Sequence, residues 1–123
     1  MSWEIEFDHK QGIVRLVYAE NVTSQELLEA FNATVNLCKN KNTGKIIADC
    51  TKMTGGHSVK DLYILLSKFD PSYSGELREA ILVSNMSLLM RQSVKFYETA
   101  CIAKGLKVKV FENREKAMEW LLA

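Results

Sequence analysis

KIIAD, residues 45–49, is a run in which Ile46, Ile47 and Ala48 leave no polar side for solvent. Successive strand residues point to opposite faces, so a short run that is apolar throughout is covered on both. EAILVS, residues 79–84, repeats the pattern. Two other stretches alternate instead. WEIEF, residues 3–7, sends Trp3, Ile5 and Phe7 one way and Glu4 and Glu6 the other, and LKVKVF, residues 106–111, alternates Lys107 and Lys109 with Val108 and Val110. The doubly apolar runs predict central strands. The alternating runs predict edge strands, where lysines also discourage unwanted pairing.

Between these strands the periodicity changes to that of helices. After a hairpin turn at DHKQG, IVRLVY forms a second strand, and Thr23 with Glu26 makes a capping box for a helix with Leu27, Phe31, Thr34, Val35 and Cys38 on one stripe before a turn at Gly44. Ser58 caps a second helix, which DPSYSG ends. A third runs from about Ser87 to Lys104 with Met90, Val94, Tyr97 and Cys101 inward and Gly105 just beyond its end, and Asn113 opens a fourth with Ala117 and Leu121 inward. The order is ββαβαβαβα. It predicts an α/β fold with a five-stranded, mostly parallel sheet, an antiparallel N-terminal hairpin strand and about four helices, in one domain over residues 1–123.

Composition narrows the function. A net charge of +1 gives no electrostatic footprint for nucleic acid, and no uncharged apolar run approaches the ~18 residues of a membrane span. Cys38, Cys50 and Cys101 form an odd set with no CxxC spacing, and MSWEIEFD is acidic with no apolar signal region, so a cytoplasmic setting is expected. Neither GxGxxG nor GxxxxGK[ST] is present, and two histidines without spaced partners make no metal site. No cofactor and no catalytic set is expected.

The binding candidates cluster in two places. Ligands of open α/β sheets tend to sit beyond the carboxyl ends of the strands, which here means Asp49 to Ser58 and Ser84 to Ser87. In the first segment Thr54, Gly55, Gly56, His57 and Ser58 follow Asp49. Gly55 and Gly56 serve either a plain tight turn or a close approach to a partner, and Ser58 is either a helix cap or an anion contact. Asp49 has a structural role open to it as well, accepting hydrogen bonds from the loop that follows. The second place is the helix SVKDLYILLSKF. Val59, Leu62, Leu65, Leu66 and Phe69 make its core stripe, leaving Ile64 among Lys60, Ser67 and Lys68 on the far side with Tyr63 at the border. Ile64 is either an ordinary exposed side chain or part of a greasy surface for a partner, a second copy or an apolar ligand.

The order of elements, together with REAILVS, FYETAC and GLKVKVFENREKAMEWL, resembles the SpoIIAA-like (STAS) family across essentially the whole chain, and within it the bacterial subgroup also compared with CRAL-TRIO lipid-binding domains. Anti-sigma-antagonist members carry a phosphorylated hydroxyl at the start of the second helix. Counted without gaps from Asp49, that hydroxyl falls on Val59. The resemblance therefore implies a non-catalytic regulatory or protein-interaction domain without the usual phosphoserine switch, meeting a protein partner or a second copy through the Asp49 to Ser58 loop and the second helix. The alternative it implies is a carrier or sensor of a lipid-like or other apolar small ligand, able to associate with membranes, with Met86 and Met90 as adaptable walls and Tyr63 at the mouth.

Overall fold

The computed structural model describes residues 2–54, 59–68, 77–84 and 88–123, with the backbone alone described at Val59 and Leu89. The order of elements is β1 (Trp3–Asp8), β2 (Ile13–Tyr18), α1 (Ser24–Lys41), β3 (Lys45–Asp49), α2 (Val59–Ser67), β4 (Arg78–Leu82), α3 (Leu88–Ala103), β5 (Lys107–Phe111) and α4 (Arg114–Leu122). The strands form one sheet in the order β1-β2-β3-β4-β5, antiparallel between β1 and β2 and parallel thereafter. The alternating strands are the edges and the doubly apolar ones lie inside. Lys107 and Lys109 are exposed on β5.

Local chemistry sets the connections. In the hairpin the Asp8 carboxylate accepts from the amides of Lys10 and Gln11 and pairs with Arg15 at 3.1 Å, while Gly12 takes a φ of +69° that a side chain would strain. Thr23 and Glu26 close the expected capping box at the start of α1. The helix ends at Lys41 with Asn42 as its cap, ahead of Gly44. Asn42 adopts the left-handed conformation with φ of 53°, which asparagine tolerates, and its amide donates to the carbonyls of Cys38 and Lys39. Gly105, at φ of +89°, ends the turn after α3, and Asn113 caps α4 by accepting from the Lys116 amide at 3.0 Å.

The monotonic strand order decides where the helices lie. Each crossover from β2 to β5 steps one strand in the same direction, and right-handed crossovers then place every connecting helix on one face. Side chains of α1, α2 and α3, among them Ala30, Cys38, Leu65, Leu66, Met90 and Cys101, accordingly share a core with Val14, Leu16, Ile46, Ala48, Ile81 and Val108. The opposite face of the sheet, with Ile13, Ile47 and Ala80, is covered by Ala117 and Leu121 of α4. Three further contacts hold α4 there. Arg114 pairs with Asp49 at 2.8 Å, the Arg78 guanidinium stacks 4.2 Å over the Trp120 ring, and Arg78 donates to the Trp120 carbonyl.

Candidate functional site

Between the sheet and α1, α2 and α3 lies an apolar cavity of about 100 Å³. Leu16, Ile46 and Ile81 wall it from the sheet, Phe31 from α1, Leu65 from α2 and Met90 from α3. Among its neighbours α2 packs chiefly against α3 and secondarily against α1, so it spans the cavity more as a roof than as a layer pressed on the strands.

A few polar groups interrupt the apolar wall. Glu79 lies on the same face of β4 as Ile81, and the Tyr97 hydroxyl of α3 donates to its Oε1 at 3.0 Å. Glu79 keeps some accessible surface, yet burial raises its carboxyl to about 7 against the opposing pull of the Tyr97 hydrogen bond. Glu79 is also one of the residues that line the cavity. Tyr18 also lines the space, and burial holds both phenols well above their ordinary value. Thr34 of α1, 3% exposed, has an Oγ1 with no hydrogen-bond partner among the described residues. An unpaired buried hydroxyl is uncommon and calls for a water or a ligand beside it.

The sequence candidates fall in different places. Met90 lines the cavity. Tyr63 is exposed on α2, at 68%, beside Ile64 at 43%. Asp49 faces α4: its carboxylate accepts from the Thr51 amide and hydroxyl and from Arg114. Burial would raise it, but these bonds outweigh burial and hold it below its ordinary value. Thr54 is exposed, and its amide and hydroxyl both donate to the Glu20 carbonyl, at 3.1 and 3.2 Å, tying the loop to the segment that leads from β2 into α1. Gly55, Gly56, His57, Ser58 and Met86 lie outside the described residues.

The cysteines offer little chemistry. All three are buried; burial, then the charge of Glu79, pushes the Cys38 thiol up to about 12 and raises those of Cys50 and Cys101. A thiol so placed is a poor nucleophile. Among the described residues no group of three or more His, Cys, Asp or Glu could hold a metal ion, and no helix is long and apolar enough to cross a membrane.

Glu79 and Tyr97 are the residues the sequence reading does not bring together. Their signal is present nonetheless: Glu79 stands two residues before Ile81 and four before Val83, hence on one face, and Tyr97 sits in the core stripe of α3.

A mixed five-stranded sheet with an N-terminal hairpin, three helices on one face and a fourth on the other defines a protein of SpoIIAA-like fold. Among solved structures the chain is similar to an uncharacterized protein of the DUF3478 family with a SpoIIAA-like fold from Shewanella loihica PV-4, at a TM-score of 0.59 and 17% identity, over 97% of this chain and 91% of that one. The fold resemblance drawn from the sequence is thus met. No protein-family model matches the sequence, and no curated protein matches it.

Proposed function

We propose that this protein is a non-catalytic binding module that takes a small, largely apolar ligand into the cavity between the sheet and α1–α3. The observation that carries it is the apolar wall interrupted by a few polar groups, Glu79 and Tyr97 chief among them, an arrangement characteristic of ligand sites. The size narrows the lipid alternative. At about 100 Å³ the space is smaller than the roughly 150 Å³ engineered cavity that admits benzene, so it suits a compact molecule rather than a long acyl chain. The raised thiols favour a module without nucleophilic chemistry, Val59 at the hydroxyl position favours one without the phosphoserine switch, and three free cysteines favour a cytoplasmic setting.

Compact ligands of about six heavy atoms, neutral and charged alike, should shift the methyl resonances of Leu65, Ile81 and Met90 at millimolar concentration. Ala48→Leu, which adds carbons to the cavity wall, should suppress the response. If no such ligand shifts those methyls, the binding proposal fails.

A second reading is favoured by the outer side of α2 and the start of α3, where Tyr63, Ile64 and Leu88 are exposed. A twofold axis beside α2 would set Ile64 and Tyr63 against their own copies. Burying both Ile64 side chains contributes about 3 kcal/mol before the entropic cost of association. Sedimentation should then show a dimer that Ile64→Lys weakens without lowering the thermal midpoint of the monomer. A parent that stays monomeric at high micromolar concentration would remove this reading.

A further inference from the structure

We infer that the ligand of the cavity is a lipophilic cation, an ammonium group on a compact hydrocarbon, with its charge met by the Glu79 carboxylate. This rests on the ligand-binding proposal above and specifies the chemistry of what is bound. Tyr97 supplies one hydrogen bond to Oε1, and no described lysine, arginine or histidine pairs with Glu79. Lys107 borders the same space, but its side chain is exposed on the edge strand and makes no ion pair there. A buried carboxylate without a cation of its own is costly, and a ligand that brings the cation removes the cost.

The other polar atoms of the wall fit the same partner. An ammonium has three donors and no acceptor. The oxygens available to it are acceptors: the second oxygen of Glu79 and the unpaired, buried Oγ1 of Thr34. Thr34 stands three residues after Phe31 on α1, and both line the same space as Glu79. Phe31, Tyr18 and Tyr97 add aromatic rings, whose faces attract cations. A fatty carboxylate would instead place a second negative charge beside Glu79, and a neutral alcohol would leave its charge unmet.

Binding should follow the charge state of Glu79. The titratable or charged groups that face it are Tyr18 from β2, Cys38 from α1, Cys50 from the end of β3, Tyr97 and Cys101 from α3, and Lys107 from β5. The described α2 side chains in the wall, Leu62 and Leu65, are uncharged. Burial keeps the phenols and thiols of this set neutral through pH 8.5, which leaves Glu79 as the member that changes charge between pH 5.5 and 8.5.

Titration calorimetry of the full chain with cyclopentylamine and cyclopentanol, matched in shape, tests this. At pH 8.5 the amine should bind at least about tenfold more tightly than the alcohol, and at pH 5.5 the preference should fall towards unity. Glu79→Gln, its fold checked by circular dichroism, should bind the amine about tenfold or more weakly at pH 8.5 and lose the pH dependence. An alcohol that binds the parent as tightly as the amine at pH 8.5, or an amine preference unchanged at pH 5.5, overturns the cation while leaving a ligand site. Binding of neither compound overturns the site as well. The pH comparison uses the unaltered chain, so its outcome does not depend on the variant folding.

Discussion

Glu79→Gln should be more stable than the parent at pH 8, by on the order of 3 kcal/mol, and the difference should fade towards pH 4.5. The parent buries a carboxyl that burial raises to about 7, while the unfolded chain ionises near the ordinary glutamate value. Between those two values the unfolded state has lost its proton and the folded state retains it. Stability contributed by the neutral carboxyl is therefore fully present below about pH 4.5 and is lost as pH rises through 7, at about 1.4 kcal/mol per unit in between. Glutamine cannot ionise and still accepts from Tyr97, so its curve should be flat through that window. The lowered carboxyls of Asp8, Glu26 and Asp49 act in the opposite sense and in a different range, losing their contribution as pH falls below about 4. Urea unfolding of both proteins from pH 4.5 to 8.5 separates the two effects. A parent whose stability does not fall between pH 5 and 7 would show that Glu79 is solvated after all.

Leu121→Ala should cost about 3–4 kcal/mol, the middle of the usual range for a buried leucine. Leu121 and Ala117 are fully buried against Ile13, Ile47 and Ala80, and α4 has only nine residues. A helix of that length does not persist in water without packing, so its hold on the sheet is tertiary. The vacated volume would lie against sheet residues that cannot move to fill it. Lys116→Ala, on the exposed side of the same helix, should change stability by no more than about 0.5 kcal/mol. Because α4 lies on the face opposite the cavity, the ligand response of Leu121→Ala below its melting temperature should match that of the parent. A loss under about 1 kcal/mol would mean that the Arg78–Trp120 stack and the Asp49–Arg114 pair, rather than Leu121, hold this face together.

The fold is legible in the sequence because its signals are local and redundant. KIIAD and EAILV differ from WEIEF and LKVKV in whether one face tolerates charge, and that contrast alone separates centre from edge. The capping box at Thr23 and the glycine at 105 mark helix ends through backbone chemistry that does not depend on the rest of the chain. The cavity is less legible. The strand order β1-β2-β3-β4-β5 does not reverse, so every crossover helix lies on one face. The space under α2 follows from that placement, which depends on the strand order and not on any one stretch of sequence. Glu79 reads in sequence as the charged beginning of an apolar strand, although its alternation with Ile81 turns it inward. Asp49 carries a similar lesson: its partner Arg114 is 65 residues away, a pairing that appears only once α4 is placed on the second face.

The same strand order bears on how the protein is made. Every strand pairs with the one synthesised just before it, so the sheet can grow in step with translation, each strand finding its neighbour as it emerges. Its two faces do not mature together. The helices that cover one face are interleaved with the strands and arrive with them, whereas α4 follows the last strand. Until residues 114–122 have emerged, Ile13, Ile47 and Ala80 form an apolar strip on an otherwise assembled sheet. A nascent chain halted just after β5 would thus present a nearly finished domain with one sticky side, the kind of surface that chaperones recognise and that pairs wrongly with other unfinished copies.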